Sequence, residues 1–233
     1  TSPHITQLTS LNVYYNHLGD EGAHHLASAE IFEQLQTLNI GFNHLTSEGF
    51  IALVNSERLP SLTNLSIAAN HIESDGLQGI SDASGLPTLQ VLDLGNNRIT
   101  AMGVCALLKV TRFETLLTLN LRHGKSIQDG AVQRLASSPN MRNLQRLDLT
   151  NHKIGEDSTR ALGSNPHLSN LRVLNLAENK LTEQGAQALA AGGALSKLTV
   201  LNLNKNSVGD AGVEAIAHAE CFEHLHTLQL DEN

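Results

Sequence analysis

The chain has 233 residues, carries 15 Lys and Arg against 23 Asp and Glu, and has a formal net charge of −8. Leu supplies 40 residues and Asn 21, aromatics make up 3%, and Trp is absent. No apolar run reaches the ~18 residues of a membrane helix, and no charged-then-apolar leader is read. Two cysteines exclude a disulfide framework, and the acid balance argues against a general nucleic-acid binder.

Stepping from Leu8 by 27 residues meets Leu35, Leu62, Leu89 and Leu116; one step of 28 reaches Leu144, and steps of 27 then give Leu171, Leu198 and Leu225. Each opens the phrase L-x-x-L-x-(L/I/V)-x-x, closed by Asn in seven of the nine units. Its middle alternates with period two, which predicts a short strand with one buried face in every unit. Stacking the units predicts a parallel sheet with strands ~4.8 Å apart. The closing Asn forms a column, Asn16, Asn43, Asn70, Asn97, Asn179, Asn206 and Asn233. A buried amide needs backbone partners, so this column is read as a structural ladder.

The second half of each unit predicts a helix. In chain order Gly22, Gly49, Gly76, Gly103, Gly130, Gly185 and Gly212 form a column followed by apolar residues at helical spacing, such as Ala186, Leu189 and Ala190. Asp20, Ser47 and Ser74 are expected as N-caps. Glu21, Glu48, Asp75, Asp129 and Asp157 fall in first turns, where the helix dipole favours acids. Much of the negative charge is thus structural. Phe32, Phe113 and Phe222 share one column and are expected in the core. Residues 1–7 read as the tail of a preceding unit and Asn233 ends midway through a ninth. No polar cap is read at either end, as a solenoid needs, which suggests a domain truncated at both ends.

These phrases over the whole chain resemble the leucine-rich repeat, and helices in a ~27-residue period resemble its ribonuclease-inhibitor-like type. The G-A-x-x-L-A wording is similar to repeats of effectors secreted by Gram-negative intracellular bacteria. The resemblance implies an α/β right-handed solenoid, a single domain over 1–233 with eight to nine repeats of 27–28 residues. It places the parallel sheet on the concave face and helices on the convex face. It also implies a protein–protein interaction module, with a bacterial effector engaging a host protein as one form. The alternatives are the substrate-recognition part of a larger enzyme such as a ubiquitin ligase, or a GTPase regulator.

No G-x-S-x-G, phosphate-binding G-x-x-x-x-G-K-(S/T), H-E-x-x-H or C-x-x-C is present, so no catalytic residue, cofactor or metal is assigned. Cys105 and Cys221 fall in helical segments as small hydrophobes, which fits a reducing cytoplasm, that of the cell of origin or of a host into which a bacterium secretes the protein. His17, His44 and His71 occupy one column on successive units. That column continues as Arg98, Lys125, Lys153 and Lys180, so it is read as solvated rather than as a metal site. His24 and His25 are read as surface.

The Asn column breaks at Gly124 and His152 and the Gly column at Ser158. The single 28-residue spacing places an extra residue after Gly130, within 137–143, and predicts a local change of curvature or a loosened turn. Two outward patches remain. One is aromatic: Tyr14, Tyr15 and Phe42, three of only seven aromatics. The other is basic: Arg98, Arg122, His123, Lys125, Arg146 and Lys153. Both are candidates for binding a protein partner. No membrane or nucleic-acid partner is expected, and the chain is expected to be a monomer.

Overall fold

The computed structural model describes residues 7–80 and 89–233, so the reading of residues 1–6 as the tail of a preceding unit lies outside the described residues. Nine three-residue strands, one per unit, run from β1 (Ser10–Asn12) through β2 (Thr37–Asn39), β3 (Asn64–Ser66), β4 (Val91–Asp93), β5 (Thr118–Asn120), β6 (Arg146–Asp148), β7 (Val173–Asn175) and β8 (Val200–Asn202) to β9 (Thr227–Gln229). They form one parallel sheet in sequence order. The central Leu of each strand sits beside the central Leu of the next, as in Leu38↔Leu65 and Leu119↔Leu147.

Helices return the chain on the opposite side: α1 (Gly19–Ser28), α2 (Ser47–Val54), α3 (Ser74–Gln78), α4 (Ala101–Leu107), α5 (Gln128–Ser137), α6 (Glu156–Ser164), α7 (Glu183–Ala190) and α8 (Gly209–Ala217). The leucine columns and the inner faces of these helices make one continuous core. Phe113 and Phe222 are buried and Phe32 packs partly buried against the core, in the same column as Leu59, Met141, Leu168 and Leu195. Among the described residues no helix is long and apolar enough to cross a membrane.

The Asn column holds the coils in register. Asn70 Nδ2 donates to the carbonyls of Ile40, Ile67 and Ala68, and its Oδ1 accepts from the N–H of Asn43 and of Leu45. Asn43, Asn97, Asn179, Asn206 and Asn233 each repeat the threefold donation, and Asn16 donates to Val13 and Tyr14. One amide thus satisfies up to five backbone groups of two coils, which a buried turn would otherwise leave unpaired.

Two sequence expectations are corrected. Asp20, Ser47 and Ser74 do not cap their own helices: they lie inside the first turn, and the cap position falls earlier, at Leu18, Thr46 and Glu73. Asp20 instead caps the next coil, its Oδ1 accepting from Thr46 N–H at 2.8 Å and Gly49 N–H at 3.0 Å. Ser47 and Ser74 likewise accept from the N–H of Glu73 and Thr100. The starts of α2, α3 and α4 are therefore satisfied in part by the preceding coil, an arrangement possible only in a stack.

The extra residue also lies elsewhere. Asp129 Oδ1 accepts from Gly155 N–H and from Ser158 Oγ, 26 and 29 residues on, the same offsets that Asp20 spans to Thr46 and Gly49. Gln128 has φ +58°, matching Gly19 at +59° and Gly209 at +60°. The insertion thus precedes Gln128, in the turn after β5, and not in 137–143. Ala131 takes the place of the column glycine. Gly130 is exposed, and a Cβ there would meet nothing within 4 Å. Ser158 breaks the column because its hydroxyl bonds Asp129. The sheet passes through without a slip, so the change is confined to the turn.

The same turn explains Gly124 and His152. The His152 ring is buried (0% exposed), and its Nε2 lies 2.7 Å from the Leu121 carbonyl, the cross-coil bond an Asn would make. A Cβ on Gly124 would come within 3.3 Å of His152 Cε1, so the missing side chain makes room for the ring. Burial pushes the His152 pKa below 6.5, with the Leu121 carbonyl and Asp148 opposing. A histidine with a depressed folded pKa is stable when neutral, so its contribution is complete above the unfolded value near 6.5 and is lost as pH falls below it. Denaturant midpoints should fall between pH 7.5 and 5, and His152→Asn should flatten that fall. An equal fall in both proteins would show that this ring does not govern acid stability.

Candidate functional site

The closing residues of the strands face away from the core and are polar, and most of their hydrogen-bonding capacity is used locally. The side-chain oxygens of Asn12, Asn39, Asp93, Asn120, Asp148, Asn175 and Asn202 accept from the N–H two residues on, closing each strand with an Asx turn. Burial raises the Asp93 pKa; the Gly95 N–H and Arg122 pull it down and Asp148 pushes it up.

The residue directly after this N–H position, in every coil, is left-handed: Tyr15, Phe42, Ala69, Asn96, His123, Asn151, Glu178, Lys205 and Glu232 all have φ between +52° and +63°. None is glycine. An L-residue other than Gly or Asn held there costs about 1 kcal/mol or more. The cost is repeated because the turn must swing the following Asn inward. Little in the composition marks this column, since of its nine residues only Asn96, His123 and Asn151 are of types that favour it.

Tyr14, Tyr15 and Phe42 lie together at this edge, 51%, 67% and 40% exposed. Ring centroids are 4.9 Å apart for Tyr15–Phe42, 6.2 Å for Tyr14–Phe42 and 6.3 Å for Tyr14–Tyr15, all tilted. Gly41 supports the cluster: a Cβ there would meet the Tyr14 ring at 3.0 Å. Beside it His17, His44 and His71 stack at 5.1 and 5.8 Å between centroids. Among the described residues no three His, Cys, Asp or Glu converge on a point that could hold a metal.

The basic residues are divided. Arg98, Lys125 and Lys153 follow the Asn column on successive coils, and Arg98 pairs with Glu73 at 3.4 Å. Arg122 and His123 line a central concave hollow with Asp148 and Thr150, where Asn151 Nδ2 meets His123 Nδ1 at 3.3 Å. Arg146 stands at the opposite, starting end of its strand. These six residues occupy three places, not one cluster.

The helical side carries a feature beyond the two predicted patches. Met102, 67% exposed, opens a groove between α3, α4 and α5 with Leu77, Ile80 and Cys105. It stands where Glu21, Glu48 and Asp75 stand in earlier coils, so an apolar residue in an acidic exposed column was the available signal. Cys221 Sγ lies 3.3 Å from the Ala190 carbonyl, and burial raises its pKa.

The model of the Leucine Rich repeat family matches six segments, residues 4–27, 34–54, 85–108, 140–163, 167–190 and 194–217. No curated protein sequence matches the chain. The solved structure of internalin C2 from Listeria monocytogenes is similar with a TM-score of 0.63 and 23% identity, over 95% of this chain and 80% of that one. The functional domain of InlJ from the same organism aligns at 0.49 and 21%, over 97% of this chain and 44% of that one. With more than half its length matched and one coil per repeat stacked into a single parallel sheet, the chain belongs to the leucine-rich repeat family.

Proposed function

We propose that this protein is a recognition module that binds a protein partner through the strand-side face and the turn edge of its first coils. The observation that carries this is the Tyr14–Tyr15–Phe42 cluster. Three large, exposed rings stand in contact, two of them on a left-handed backbone that disfavours bulky residues. The contacts among these exposed rings no more than offset the backbone strain, so they bring no net folding advantage, and such side chains are the common anchors of interfaces. The central hollow around Arg122 and His123 supplies a second, charged contact region. The partner belongs to a eukaryotic cell, since the repeat wording resembles bacterial effectors. The test is capture from eukaryotic lysate, comparing the intact chain with Tyr15→Asn/Phe42→Asn, read by mass spectrometry. A protein retained only by the intact chain supports the reading. Equal retention by both chains, or none by either, overturns it.

A further inference from the structure

The net charge is not spread along the solenoid. Residues 1–97 hold ten Asp and Glu against one basic residue, Arg58, for a net −9, while residues 98–233 hold 13 acids and 14 Lys and Arg, a net +1. The aromatic cluster therefore sits in the acidic end. Residues 1–57 contain no Lys or Arg, and the outward strand residues of the first three coils are Ser10, Asn12, Thr37, Asn39, Asn64 and Ser66. From the rings the chain passes through the histidine column into helix starts that carry exposed acids. Glu21 and Glu48 have only His25 and His24 within ion-pair distance among the described residues. A groove at this edge is lined by His71, Glu48, Glu73 and Asp75 and by Arg98, which pairs with Glu73 and leaves Glu48 and Asp75 as its carboxylates without an Arg or Lys partner among the described residues. The rings and this line of carboxylates thus belong to the same first coils, with the histidine column between them.

Resting on the reading of the aromatic cluster as the binding edge, we infer that the segment it takes is basic, a Lys- or Arg-bearing stretch of the partner. An aromatic face attracts a cation through its quadrupole, most strongly when water is excluded. The carboxylate strip raises the local concentration of cations and steers their approach. An acidic or phosphorylated segment would instead meet repulsion from the whole first half of the chain. The partner's polarity is thereby fixed: its cationic stretch faces coils one to three, and any acidic stretch faces the Arg122 region.

The experiment titrates the full chain into fluorescein-labelled arginine–glycine repeat peptide and follows anisotropy. Two control peptides replace arginine by citrulline, which keeps the shape without the charge, or by glutamate. The expected result is binding of the arginine peptide alone, weakened at least about tenfold in Tyr15→Asn/Phe42→Asn. It should also weaken with added salt and in Glu21→Gln/Glu48→Gln. Circular dichroism melting of each variant shows whether it is folded. Absence of arginine-peptide binding, or equal binding of the citrulline or glutamate peptide, overturns the inference. Arginine-peptide binding that survives loss of the rings overturns it as well, since attraction would then be diffuse. If the glutamate peptide binds and depends on the rings, the recognition edge stands and only the polarity is wrong.

Discussion

Tyr15→Asn/Phe42→Asn should weaken partner binding by at least about 30-fold, some 2 kcal/mol, while leaving the fold as stable as before. Truncating a desolvated aromatic anchor removes its buried area and its fit at once. The stability half follows from the backbone. Both residues are left-handed, at φ +58°, as Asn96 and Asn151 are in the same column at +55° and +63°. Asn tolerates that conformation better than a bulky aromatic by a fraction of a kcal/mol to about 1 kcal/mol. The rings lose tilted contacts worth about the same. The two effects offset, so the unfolding midpoint should move by less than about 1 kcal/mol while binding collapses. Isothermal calorimetry on the captured partner and urea unfolding measure the two halves. A drop in stability matching the drop in binding would mean that the rings are packing elements.

Asn70→Ala should destabilise the solenoid by about 3–5 kcal/mol, a large share of a domain's stability. The side chain is 4% exposed and joins five backbone groups of adjacent coils. Alanine leaves the N–H groups of Asn43 and Leu45 and the carbonyls of Ile40, Ile67 and Ala68 without this partner. Each buried orphan costs about 1–3 kcal/mol, less where water reaches in. Asn16→Ala, with two donations from an exposed side chain, should cost less than about 1 kcal/mol. Urea unfolding followed by far-ultraviolet circular dichroism compares the pair. Similar losses at both positions would contradict the ladder as the element that locks coils together.

The leucine and asparagine columns were legible in the sequence because each coil repeats one burial pattern, and an error of a single residue would turn every buried side chain outward. The aromatic cluster was legible too, since Tyr14, Tyr15 and Phe42 stand in outward columns otherwise made of small, polar or charged residues. What could not be read was interaction between coils. The carboxylate of Asp20 looks like a cap for its own helix but reaches the next one, and nothing local distinguishes the two. Gly130 keeps the sequence spacing of the glycine column, yet Ala131 fills the site, because the insertion before Gln128 is revealed only by what Asp129 bonds. The six basic residues are close in the repeat pattern, but Arg146 stands at one end of its strand and Arg122 just beyond the other end of the neighbouring one.

The most direct test of recognition through the first-coil edge is hydrogen exchange of the complex with the captured partner. Protection should concentrate in residues 12–17 and 39–44, with helices α3 and α4 unchanged. Protection centred on the groove beside Met102, with the Tyr14–Tyr15–Phe42 edge exchanging as freely as in the unbound chain, would contradict it.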